Sequence, residues 1–165
     1  MNTYSPAFER AFVKLLEDEG GYVNDSKDPG GETKYGISKR SYPKVDIKNL
    51  TVAQAKDIYH QDFWLTGPYE QLHYEPLAEK VFNSAVNMGN SRAFRLLQEA
   101  VNQLGGKLVL DGVLGPKSIA AINAMDCASV LTQFRIEQAN YYQSLVARRP
   151  SLAKFLKGWL RRAAS

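Results

Sequence analysis

The sequence predicts a mainly α-helical fold with one small β element, and three observations carry that prediction. Apolar residues recur at helical spacing along most of the chain. Capping residues, prolines and glycines bracket those segments at the expected ends. One glycine-rich stretch, Glu19–Ser38, breaks the pattern and ends in a short alternating run. At 165 residues the chain is expected to be a single domain, 1–165, large enough to bury a core. Its 44% hydrophobic and 23% charged residues are the balance of a folded chain and exclude a disordered one.

Ser5-Pro6 starts the first helix, a capping residue followed by proline at the first helical position. Phe8, Ala11, Phe12, Leu15 and Leu16 then form one apolar stripe. Gly20-Gly21 stop it, and Lys34–Ser38 reads as one arm of a hairpin. Thr51-Val52-Ala53-Gln54 is a capping box opening a helix through about Phe63, before Gly67-Pro68 breaks the chain. Pro76 opens a third helix to about Met88, with Leu77, Val81, Ala85 and Met88 inward. Asn90 or Ser91 caps a fourth, with Ala93, Phe94, Leu97, Val101 and Leu104 inward and Gly105-Gly106 as its stop. Asp111-Gly112 turns the chain, and Gly115-Pro116 starts a short helix. A long helix spans about 127–147 until Pro150. The last places Leu152, Phe155, Leu156, Trp159 and Leu160 on one face, which is expected to complete the core.

Chemistry concentrates in Glu19–Ser38. At about 100° per residue, Glu19 falls about 20° from Phe8, in the middle of the apolar stripe, while Glu17 lies opposite. A carboxyl against apolar surface has its charged form disfavoured, and the C-terminal end of a helix adds negative potential. A glutamate kept protonated in this way can serve as a general acid. A frayed helix end with Glu19 in solvent is the competing reading. Asp25, Asp28, Glu32 and Thr33 follow on the same loop. The loop is not a calcium loop: counting from Asp25, its third position is Lys27 and its twelfth Gly36.

Trp64 and Tyr69 stand out among the aromatics near the Gly67-Pro68 break, since aromatic faces stack on sugar rings. Asn83 and Asn87, one turn apart, offer two amides to a sugar or to a neighbouring helix, and the second use is the commoner.

Much is excluded. One cysteine, Cys127, rules out an internal disulfide framework. Two histidines supply no triad or histidine-rich metal site, and no phosphate-binding glycine motif or H-E-x-x-H occurs. No cofactor is expected. What remains is carboxylate chemistry, for which hydrolysis of a glycosidic bond is the natural reaction. Net charge is +4, yet residues 148–165 carry six basic residues and no acidic one. That tail suits an anionic partner, although a solvated final helix is favoured over membrane contact and no base-reading motif points to nucleic acid. No N-terminal signal sequence or membrane span is apparent.

The run EGGYVNDSKDPGGETKYGI, residues 19–37, resembles the signature of glycoside hydrolase family 108, the N-acetylmuramidases of phage endolysins and secretion-associated muramidases. IYHQDFW, VFNSAVNMG, LLQEAV and DGVLGPKSIAAI resemble that family too, so the likeness runs from about Phe8 to Trp159. DGVLGPKS is also similar to a turn of small peptidoglycan-binding modules. Ser26 stands where the family commonly has proline. The resemblance implies a lysozyme-like α+β fold with a small β-hairpin beside an active-site cleft. It implies a muramidase part in 1–104 and an integral C-terminal helical part in 105–165. It implies Glu19 as the acid. Glu19, Asp28 and Thr33 are spaced like the Glu/Asp/Thr set of phage-type lysozymes, one residue shorter between Asp and Thr, so Asp28 and Thr33 would hold the attacking water. Tyr22, Tyr35, Trp64, Asn83 and Asn87 would line the cleft. The expected partner is peptidoglycan, attacked at its β-1,4 bonds by a monomer. Synthesis would be cytoplasmic and action on the wall, with a holin or secretion machinery for export. A lytic transglycosylase and a non-catalytic wall-binding helper are the alternatives.

Overall fold

Helix α1, Pro6–Asp18, begins where its cap predicts: the Ser5 hydroxyl accepts from the Phe8 N–H at 3.1 Å. Phe8, Ala11, Phe12 and Leu15 are buried, as the stripe requires. The computed structural model describes residues 3–18, 21–24 and 31–165, in two compact units, Met1–Gly67 and Pro68–Ser165. The boundary between the two units falls at the Gly67-Pro68 break seen in the sequence.

In the first unit the capping box forms in full. Thr51 Oγ1 accepts from Gln54 N at 3.1 Å, and Gln54 Oε1 accepts from Thr51 N at 2.9 Å. Helix α2 runs Val52–Tyr59 and then widens into a π-helical turn, His60–Trp64, in place of the expected α-helix through Phe63. With the turn widened, the rings of His60 and Trp64 both lie against Phe8, at 4.7 and 5.4 Å between centroids.

Strands β1 (Val23–Asn24), β2 (Glu32–Lys34) and β3 (Ile37–Ser38) form one antiparallel sheet in that order. Lys34–Ser38 is not one arm of a hairpin but its turn and both shoulders. Tyr35 (φ 53°) and Gly36 (φ 80°) are both left-handed, as a two-residue hairpin loop of type I′ demands. Tyrosine is an unusual occupant of such a position, and this is why the pattern hid the turn. Buried Tyr59 of α2 donates its hydroxyl to the Tyr35 carbonyl at 2.7 Å, fixing the turn from beneath.

In the second unit, α3 (Glu75–Met88) and α4 (Asn90–Gln103) meet at Gly89, whose φ of 89° lets the chain reverse. Helices α5 (Pro116–Asn123), α6 (Cys127–Arg148) and α7 (Ala153–Ala164) follow near their expected bounds. Leu77, Val81, Phe82, Phe94, Leu97 and Phe134 are among the core side chains. Leu104 is an exception to its predicted stripe, being exposed beyond the last turn of α4.

Two amides on α4 organise the irregular segment after it. Buried Gln98 donates to Asp111 Oδ1 (3.0 Å) and the Val113 carbonyl (2.9 Å), and accepts from Gly112 N (2.9 Å). Asn102, one turn on, both donates to and accepts from the backbone of Leu108. Gly112 has φ 73°, and a Cβ there would lie 2.6 Å from the Ser91 carbonyl oxygen. The turn needs glycine for both reasons.

Helix α7 completes the core only in part. Ala163 is its buried residue, and Phe155 is 46% exposed. Its C-terminal end is held more firmly: buried Lys80 of α3 donates to the carbonyls of Arg162 (2.9 Å) and Ala163 (3.0 Å). An ammonium at a helix C-terminus meets both its orphan carbonyls and the negative end of its dipole.

Three outcomes test this account. Tyr59→Phe removes one hydrogen bond from a half-buried carbonyl and should destabilise the fold by about 1 kcal/mol in urea titration, with faster amide exchange in the hairpin. Gly112→Ala should cost about 2 kcal/mol or more, from left-handed strain and the clash with Ser91. The Asp111 carboxyl is held below the ordinary carboxylate range by its bonds to the Val113 N–H and the Gln98 amide. Its contribution is therefore present above the unfolded carboxylate pKa and lost as pH falls through the depressed folded value. Melting curves of the wild type below about pH 4 should fall away more steeply than those of Asp111→Asn.

Candidate functional site

The site predicted from sequence is built at the end of α1 and on the three-stranded sheet. The buried stripe of α1 sets the phase in which the chain leaves Asp18. Glu19 and Asp28 themselves lie outside the described residues, as does Ser26.

Thr33 is the central residue of β2 and the hinge of the register. It pairs with Val23 on one side and Ser38 on the other. Side chains alternate along a strand, so Thr33 lies on the face opposite Glu32 and Lys34. Thr33 is half-buried. On the other face, Tyr22 donates its hydroxyl to Glu32 Oε2 at 2.7 Å. That bond raises the Tyr22 pKa, because ionising the phenol would set two anions against each other. Tyr22 is 39% exposed and presents an open ring. Tyr35 is half-buried, and the Lys34 ammonium sits 5.5 Å from its ring centroid while donating to the Lys48 carbonyl at 3.0 Å. Thr33 and Tyr35 therefore belong to the hairpin of β2 and β3, held by α2 through Tyr59, while Tyr22 stands just before β1 with its hydroxyl on the opposite face of β2 from Thr33.

Trp64 is placed otherwise. It is 1% exposed and packed on Phe8, so it has no ring face to offer a sugar. The expectation of a stacking platform is corrected: the π turn carries this indole into the core of the first unit. Asn83 and Asn87 belong to the second unit. Asn83 is 5% exposed. Asn87 is exposed, and its Oδ1 accepts from the Tyr142 hydroxyl at 2.7 Å, which bridges α3 to α6. Tyr69, the other aromatic near the break, is buried and donates to Asn90 Oδ1 at 2.6 Å.

Two polar pairs escaped the sequence reading. One is Tyr22–Glu32. The other is Tyr42–Asp62, in which the phenol donates to the carboxylate at 2.7 Å, and burial, then that bond, push the phenol's pKa up. Twenty residues separate its members, and no local pattern announces it. Cys127 has its thiol pKa raised by burial and by Asp126, which keeps it a protonated packing residue. Among the described residues no group of three His, Cys, Asp or Glu side chains could hold a metal ion.

Comparison with known proteins assigns both halves of the chain. Residues 12–89 match the model of glycosyl hydrolase 108, and residues 92–164 match that of a predicted peptidoglycan domain. The first span takes in the run from Glu19 to Ile37; the second takes in the turn held by Gln98. No curated protein sequence matches the chain. Among solved structures it is similar to SagA from Brucella abortus, at 28% identity over 95% of this chain and 89% of that one, with a TM-score of 0.78. A mainly α, lysozyme-like architecture with a small antiparallel sheet is common ground between this likeness and the elements described above. Residues 12–89 are thus similar to a glycosyl hydrolase 108 domain and residues 92–164 to a peptidoglycan domain, and with the structural likeness over nearly the whole length they mark the chain as a glycoside hydrolase acting on peptidoglycan.

Proposed function

We propose that the chain is an N-acetylmuramidase, cleaving the β-1,4 bond between N-acetylmuramic acid and N-acetylglucosamine. Glu19 protonates the leaving oxygen as the bond breaks. Asp28, with Thr33 orienting, stabilises the oxocarbenium-like transition state and directs water to the opposite face of the sugar. The observation that carries this reading is the family match across residues 12–89, which spans all three residues. The buried stripe of α1 supports it, because it bears out the helical phase from which the sequence singles out Glu19. The half-buried position of Thr33 in the middle of the sheet suits a hydroxyl that must be held still to orient water.

Acting on the wall, the enzyme serves cell lysis or local remodelling for secretion, as a monomer working in the periplasm. A holin or secretion machinery provides its passage. Tyr22 and Tyr35 are the aromatic contacts for the glycan.

Mass spectrometry of digested peptidoglycan tests the reaction. Wild type should release reducing muramic-acid ends, and Glu19→Gln should lose about 10²–10⁴-fold in rate while keeping its fold. Anhydro ends would make the enzyme a transglycosylase and remove the water-holding role of Asp28. Asp28→Asn should lose less than Glu19→Gln. Thr33→Val, which keeps the β-branched shape that suits a strand, should lose about tenfold, the worth of one water-orienting hydrogen bond; wild-type turnover in that variant would take Thr33 out of the mechanism.

A further inference from the structure

Helices α4 and α6 enclose a polar groove of about 420 Å³ in the second unit, floored by Leu96. Each helix contributes residues at helical spacing. From α4 come Arg92, Arg95 and Glu99; from α6 come Glu137, Tyr141 and Arg148, with Asn140 and Ser144 between them. Three of the chain's nine arginines line this one groove, and no lysine does. Arginine's planar fork suits a carboxylate that must be gripped in a fixed orientation.

The charges are sorted along the groove. Ser84 and Asn87 of α3 meet Gln138 and Tyr142 of α6 in the same order, so α3 and α6 run parallel. Helix α4 reverses after Gly89 and therefore runs antiparallel to α6. Arg92 lies over the Tyr141 ring, 4.9 Å from its centroid, and Arg148 is two turns further along α6 at the same end. Glu99, two turns along α4, and Glu137, one turn back on α6, share the opposite end. Arg95 stands between, paired with Glu99 at 3.6 Å. At 1.5 Å per helical residue, Arg92 and Glu99 are about 10 Å apart along α4, and Arg148 and Glu137 about 16 Å apart along α6.

We propose that this groove binds the peptide stem of peptidoglycan, an acidic peptide bearing a diamino acid. A stem carboxylate sits between the guanidinium groups of Arg92 and Arg148, against the Tyr141 ring. The side-chain ammonium of the diamino acid lies at Glu99 and Glu137, and Asn140 bonds the peptide backbone between. A uniform polyanion such as nucleic acid would bring phosphates against the two glutamates, and a neutral glycan would bring no counter-charge to Arg92 and Arg148, Arg95 already being paired with Glu99. The groove accordingly reads the peptide of the wall while the first half handles the sugar. The wall-hydrolase reading supplies only the source of this ligand.

Calorimetry on the full chain tests it, with a synthetic tetrapeptide of alanine, γ-linked glutamate, meso-diaminopimelate and D-alanine as probe. The wild type should bind, and Arg92→Gln/Arg148→Gln and Glu99→Gln/Glu137→Gln should each weaken binding at least about tenfold, with melting temperatures showing that both fold. Acetylating the probe's side-chain amine should weaken wild-type binding and leave the Glu99→Gln/Glu137→Gln variant indifferent. No binding by the wild type, or equal binding by both variants, overturns the proposal. Glu19→Gln should bind the tetrapeptide as the wild type does. If peptidoglycan is not digested and the tetrapeptide still binds, the hydrolytic reading falls and the groove assignment stands.

Discussion

A hydrogen bond from a buried phenol holds the hairpin on which the described part of the candidate site is built. Tyr59 lies in the last turn of α2 and gives its proton to the carbonyl of Tyr35, at the apex of a two-residue left-handed turn. A backbone carbonyl withdrawn from water without a partner is unfavourable, and a tyrosine at positive φ is strained. One contact answers both: it satisfies the carbonyl and keeps the turn from relaxing. Thr33 and Tyr22 take their places from the register that this turn imposes. The second unit solves the same problem with amides, Gln98 and Asn102, which reach from a regular helix into the irregular chain that follows. In both units, helices set the geometry and a polar side chain transmits it to backbone that has no ladder of its own.

Most helices were legible because their signals are local. The Thr51–Gln54 capping box, the Ser5-Pro6 start and the stripe of α1 each lie within a few residues, and all three appear as expected. The departures share a cause. The π turn at His60–Trp64 is set by packing on Phe8, some fifty residues earlier in the chain. The hairpin apex places Tyr35 where pattern alone expects glycine or asparagine. Leu104 fits the period of α4, but the helix ends at Gln103.

The site was legible to a different degree. Phase along α1 singled out Glu19 among neighbouring acids, whereas Asp28 and Thr33 came forward only through the resemblance to phage-type lysozymes. Aromatic density near Gly67 suggested stacking platforms, yet Trp64 and Tyr69 are both core residues. Composition cannot separate an aromatic that packs from one that binds, since both are apolar and both cluster. Pairs such as Tyr42–Asp62 and Arg92–Tyr141 join residues distant in sequence, so they become visible only once the helices are in place.

Lys80 gives the basic tail a meaning beyond its charge. Its ammonium is buried, and its hydrogen bonds run to carbonyls more than eighty residues further along. Loss of the last turn of α7 would take two carbonyl partners from a buried cation, an outcome less favourable than losing a few exposed arginines. The last turn of α7 is therefore tied to α3 by hydrogen bonds and not by surface charge. The charge of the exposed face of α7 can be retuned residue by residue, whereas any change in the length of the helix is felt by Lys80, deep in α3.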